Sequence, residues 1–195
     1  YSLVTLTVLY TISFFLPVLI NNRALIVKYD GSLHFPIISG YISGEKFGQD
    51  VPGEAKYRKL KEKFSKQVDA GNWVLMPPYP YSPYEDITTD GNKMYESPSR
   101  KHWLGTDNTG RDVFARLCYA FYISISFALI LTVINYVIGV LIGGTMGYFG
   151  GKFDLVFQRL IEIWSSLPML FVIIILSSIL KPSFLLLIGI YTLVN

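Results

Sequence analysis

Hydrophobic and polar positions are not interleaved along this chain; they are sorted into blocks. Residues 1–22, 117–151 and 163–180 contain no Asp, Glu, Lys or Arg. A helix in a soluble core mixes polar positions into its surface at a 3.6-residue period, so charge-free blocks of this length predict segments that meet lipid. The first block, Tyr1 to Ile20, gives about 30 Å of helix, enough to cross a hydrocarbon core. Pro17 near its end is tolerated in a membrane helix, and Asn21, Asn22 and Arg23 mark the exit. Nothing in it reads as a secretory signal. The second block, Leu117 to Gly151, would reach about 50 Å as a helix and has to tilt or project from the bilayer. Within it Gly139, Gly143 and Gly147 fall on one helix face, with Gly144 beside them. Such tandem small residues let helix backbones approach closely in lipid, which predicts a partner helix on that face.

Gly150, Gly151, Lys152, Phe153 and Asp154 read as a tight turn, followed by a short amphipathic stretch. Arg159 and Glu162 stand one turn apart in it and can pair. The third block, Ile163 to Leu180, carries Pro168 in its first third and ends at Lys181 and Pro182. A fourth begins at Ser183 and is still apolar at Asn195, too short to cross. The expected organisation is a first span over 1–22, a polar segment over 23–116, a second span over 117–149, a loop over 150–162, a third span over 163–180, and the start of a fourth span over 183–195, where the sequence stops. That is an all-α polytopic membrane protein with a small α+β segment inserted after its first span.

The polar segment is too long for a bare connection and needs structure of its own. Asp30-Gly31 between the β-prone runs Leu25–Tyr29 and Ser32–Pro36 is a two-residue hairpin signal. A helix is expected from Pro52-Gly53 onward, because Tyr57, Leu60, Phe64 and Val68 recur at three- or four-residue spacing. Its lysines form either a solvated face or a contact with anionic lipid or an acidic partner. From Trp73 to Tyr84 the repeated prolines favour an extended path without ladder hydrogen bonds. Tyr79, Tyr81 and Tyr84 in that tract either meet a partner or pack internally.

Composition sharpens this picture little. The chain is 51% hydrophobic and 16% charged with a net charge of +3, and no basic stretch interleaved with aromatics suggests nucleic acid. The lone cysteine, Cys118, makes neither an internal disulfide nor a thiol zinc cluster. Short-loop charges, Lys152 and Arg159 against Lys181 alone, put 152–162 in the cytoplasm and 23–116 outside. No phosphate-binding loop is present. His34 and His102 lack metal-ligand spacing and read as ordinary loop residues. Asp107 and Asp112 could be paired acids, but directly before a membrane helix they are better read as local caps, with Thr106 or Asp107 as N-cap and Gly105 turning the chain before it. Arg111 and Arg116 can reach headgroups or carboxylates. No catalytic, cofactor-binding or metal-binding residue is expected.

The stretch Gly105, Thr106, Asp107, Gly110, Arg111, Asp112, Val113 and Arg116, just before a membrane helix, resembles the C-type permease of bacterial dipeptide and oligopeptide ABC importers. The resemblance continues through Tyr122–Ser124, Ile138–Val140, Gly147–Gly151, Asp154 and the run Arg159 to Pro168, which includes Glu162. Upstream, Asn22–Gly31, Phe35-Pro36, Phe47-Gly48 and Trp73–Pro78 look like the Yej branch, whose members import microcin C and oligopeptides and carry a long segment after the first span. The resemblance implies a helix bundle of the type I importer permeases in the bacterial inner membrane. It implies a second permease subunit completing the path, two cytoplasmic ATPase subunits holding ATP and Mg, and an extracytoplasmic protein that delivers peptide. The family's Glu-Ala-Ala-type coupling loop follows the fourth span and lies beyond this sequence. A dipeptide or nickel importer permease is the nearest alternative; a membrane-anchored sensor with 23–116 as its ligand-binding domain is one of a different class, and a membrane enzyme with an acid pair is more distant.

Overall fold

The computed structural model describes residues 1–50, 53–66, 71–87, 95–181 and 183–194. The chain divides into two compact units, Tyr1–Ile123 and Ser124–Asn195. In the first, helix α1 covers Ser2–Leu19 with Pro17 inside it. Nearly every side chain of α1 is exposed, most of them apolar, as expected of a helix whose solvent is lipid rather than water.

Beyond α1 the chain folds as a small α+β unit. Strand β1 (Ile26–Tyr29) turns at Asp30 and Gly31 into β2 (Ser32–His34). Both turn residues have positive φ, 47° and 75°, the geometry of the two-residue hairpin that Asp-Gly favours. Tyr29 stands opposite Ser32 and Val27 opposite His34. A one-turn helix α2 (Pro36–Ser39) and a 3-10 turn (Gly44–Phe47) follow. Helix α3 (Tyr57–Lys66) lays Tyr57, Leu60 and Phe64 inward, against Val27 of β1, Phe47 and Val74. Pro52 and Val68, which the sequence reading attached to this helix, lie outside the described residues.

One strand is a correction. Trp73–Leu75 was expected to run extended without ladder bonds, but it forms β3, antiparallel to β1, with Val74 opposite Val27. The sheet order is β2-β1-β3. Proline forbids donation only where it stands, and the first proline of the tract is Pro77, two residues past the strand. Val74 has a buried slot to fill, and the ladder forms ahead of the prolines.

Helix α4 (Val113–Phe149) has 37 residues and is about 55 Å long. It starts four residues before the expected second span, because its cap is Asp112. The predicted turn after it shrinks to Gly150, whose φ is +56°. Helix α5 (Gly151–Ser165) begins at once, so the stretch read as a 150–162 loop is helical. Arg159 bonds Glu162 at 2.6 Å on its exposed side. The third block is not one helix. The chain breaks at Ser166–Pro168, α6 covers only Met169–Ile179, and Gly151–Ser165 meets Leu170–Leu176 at 70°. Pro168 cannot donate to the preceding turn, which is where such helices break. Helix α7 (Phe184–Val194) is apolar throughout. Among the described residues α1 and α4 are each long and apolar enough to cross a membrane.

Candidate functional site

The family-like motif folds as a knot of hydrogen bonds at the head of α4. Gly105 has φ +74°, and a Cβ there would collide with the carbonyl oxygen of Glu96; only glycine fits both constraints. Thr106 binds that same segment twice, its N–H donating to the Glu96 carbonyl at 3.0 Å and its hydroxyl accepting from the Glu96 N–H at 2.8 Å. Asp107 holds the loop together. Its carboxylate accepts from the N–H groups of Thr109 and Arg111, both at 2.9 Å, from the Thr109 hydroxyl, and from the Arg116 guanidinium. Burial alone would raise its pKa, but these donors outweigh it and hold the carboxyl down at about 2. Gly110, at φ +69°, donates to the Asp107 carbonyl and accepts from the N–H of Ile87.

Asp112, fully buried, is the N-cap of α4. One carboxylate oxygen accepts the Ala115 N–H at 2.8 Å; the other accepts the Tyr79 hydroxyl at 2.7 Å and faces Nδ1 of His102 at 2.7 Å. This corrects the assignment of the cap to Thr106 or Asp107, whose oxygens are committed to the loop. It also corrects the reading of His102 as an ordinary loop residue. His102 is fully buried, lies 4.5 Å from the Tyr81 ring centroid, and has Nε2 3.7 Å from a Glu96 carboxylate oxygen without a hydrogen-bond partner.

Tyr79 links this cluster to the first helix. Its N–H donates to the Leu19 carbonyl and its carbonyl accepts from Asn21. The ring packs against Trp103 and Phe114. Burial first, and the bond to Asp112 second, push its hydroxyl pKa far up, so it stays a donor. Of the two readings left for Tyr79, the structure shows internal packing: the residue is 5% exposed and its hydroxyl is bonded to Asp112. Tyr81 is half-buried, with the Arg58 guanidinium 4.7 Å over its ring. Tyr84 is 75% exposed and keeps a free surface. Of the motif, Gly105, Thr106, Asp107, Gly110 and Asp112 act together at one place; Arg111 contributes its backbone and Arg116 its guanidinium. The arrangement fastens three segments to one another. The imidazole–carboxylate pair resembles half of a hydrolytic centre, but the hydroxyl beside it, that of Tyr79, donates to the same carboxylate.

In the second unit, Gly139 and Gly143 line a groove of ≈ 630 Å³ with Phe157, Leu160 and Trp164 of α5 and Leu193 of α7. Among the described residues no atom beyond the helix itself comes within 4 Å of the positions their Cβ atoms would take, nor of that of Gly147. Asp154 sits in the first turn of α5, favourable at a helix N-terminus, and Gly151 starts that helix. Arg159 and Glu162 pair with each other on α5, and Pro168 caps α6.

A chain with helices of this length and apolarity is a helical membrane protein. Comparison with known proteins narrows the class. Over 187 residues the chain is 42% identical to the inner membrane ABC transporter permease protein YejE of Escherichia coli K12, covering 94% of this chain and 53% of that protein. It is 34% identical over 211 residues to the peptidoglycan transport system permease protein YejE of Agrobacterium fabrum, with the same coverage of each. Over 133 residues it is 35% identical to the dipeptide transport system permease protein DppC of Bacillus subtilis, covering 65% of this chain and 41% of that one. No family model and no solved structure matches. Across 94% of its length the chain resembles the permease subunits of bacterial ABC importers, YejE proteins among them, and it is a multi-pass protein of the inner membrane. It spans about half the length of the YejE relatives it matches.

Proposed function

We propose that this chain is part of a permease subunit that carries oligopeptides, or peptide antibiotics such as microcin C, inward through an ABC importer. The observation that carries the reading is likeness to the YejE proteins across 94% of the chain, the long segment after the first helix included. A second permease completes the path, two cytoplasmic ATPases bind and hydrolyse ATP with Mg, and an extracytoplasmic peptide-binding protein delivers substrate. Residues 23–116 lie outside the cytoplasm, and the spans run over 1–22, 117–149 and 163–180, with a fourth begun at 183–195. The name of the Agrobacterium relative adds peptidoglycan fragments to the candidates, and those of other relatives add dipeptides and nickel.

The test is uptake in cells that lack the full-length permease and regain it on a plasmid. Radiolabelled oligopeptide is expected to enter only complemented cells, with excess dipeptide or nickel competing poorly. Equal oligopeptide uptake with and without the permease would overturn the reading; strong competition by dipeptide or nickel would move it to those substrates.

A further inference from the structure

The sheet of the first unit has two faces of different fate. Val27, Tyr29 and Val74 point to the core with α3. The strand register places Ile26, Lys28, Leu33, Trp73 and Leu75 on the other face. Leu33, Trp73 and Leu75 are exposed and Ile26 and Lys28 half-exposed among the described residues. Lys28 stands opposite both Leu33 and Trp73, and the face carries no acidic side chain. Phe35, Ile38 and Tyr41, around α2, are exposed as well, Ile38 at 83%. An apolar surface this continuous on a unit with its own core marks a contact.

Backbone hydrogen bonds tie this surface to the place where the chain leaves α1. Tyr79 donates to Leu19, the last residue of α1; Leu25 donates to Leu75; Ile37 of α2 donates to Ala24. Tyr79 is four positions past Leu75, so Leu75 lies within about 14 Å of the residue that bonds the end of α1. Trp and Tyr beside an emerging membrane helix suit the headgroup layer, where an amphipathic ring sits at the boundary. Lys28, alone among apolar neighbours, can lay its stem along them and extend its ammonium to phosphate. On the far side of the core, α3 turns Lys59, Lys61, Lys63 and Lys66 outward. The unit is thus apolar on one side and strongly cationic on the other, the division found in structures that lie on a bilayer.

We propose that the outer face of the sheet, continued by α2, rests on the lipid headgroup layer beside the exit of α1. The lysines of α3 then face water. This requires α1 to cross the membrane and is independent of what is transported. The test is spin-label accessibility in the full-length permease, reconstituted in phospholipid bilayers with Cys118→Ser to remove the native thiol. Labels are placed singly at Leu33→Cys, Trp73→Cys and Leu75→Cys, all surface positions, with Lys61→Cys as reference. At the three sheet positions dissolved oxygen is expected to relax the label more than a water-soluble nickel chelate does; at Lys61 the order reverses. Nickel dominance at all four positions would mean a hydrated face and overturn the proposal. Low access to both reagents on the sheet would mean a protein partner covers it, and would overturn it equally.

Discussion

Asp112 is fully buried and makes three hydrogen bonds, and its partners come from sequence positions 79, 102 and 115. Asp112→Ala would leave the Tyr79 hydroxyl and the Ala115 N–H buried without their acceptor, at about 1–3 kcal/mol for each unsatisfied group, and would uncap α4. The purified full-length variant is expected to melt well below the parent; an unchanged melting midpoint would show that the cluster adds nothing. Gly105→Ala places a Cβ against Glu96 at a positive φ, which costs more than about 1 kcal/mol. Limited proteolysis should cut the variant faster within 95–111, and equal rates would sink the prediction. Asp107 gives a pH dependence with a definite sign. Its folded pKa is lowered to about 2 from an ordinary 3.8, so its contribution is complete above about pH 3.8 and is lost as pH falls toward 2. The melting difference between parent and Asp107→Asn should therefore be flat from neutral pH to about 4 and close below it. A difference that instead grew on acidification would contradict the assignment.

Elements were legible where local chemistry decides them. The Asp30-Gly31 hairpin and the inward face of Tyr57, Leu60 and Phe64 follow from turn geometry and period alone, and so do the apolar stretches of α1 and α4. What was not legible depends on contacts between distant positions. Nothing in the spacing of His102 and Asp112 announces their bond, since the loop between them supplies it. β3 hid beside prolines because its ladder is decided by a partner strand 45 residues away. The break before α6 was marked by Pro168, but a proline in a membrane helix is compatible with a kink as well as a stop. At this scale the glycine face of α4 is the element to test. Gly143→Leu fills the groove against α5 and removes the flat surface on which another helix can pack. Co-purification of the two permease subunits should fall, and unchanged pairing and uptake would count against a helix on that face.

For the molecule as a whole, sidedness is the open geometric statement that the function depends on. Cysteines at Ser39 and Tyr84, both exposed, are expected to react with a membrane-impermeant maleimide added from outside in a Cys118→Ser background. Reaction only after the membrane is opened would invert the arrangement. The same position allows a clean test of docking. Excising the proline-tyrosine tract would tear out Tyr79 and the cluster with it, whereas Tyr84→Ala changes one exposed ring. Weaker capture of the peptide-delivery protein by that variant, with unchanged melting, is the outcome that supports docking there.

The cluster around Asp112 also imposes an order on biosynthesis. Tyr79 and His102 leave the ribosome before the carboxylate that both of them need, and Asp112 is the first residue ahead of α4. Until that residue emerges, the segment between the two long helices has its hairpin and α3 but no clasp. Closure therefore waits only for the first turn of α4, and the segment can be clasped before the rest of the second long helix is made.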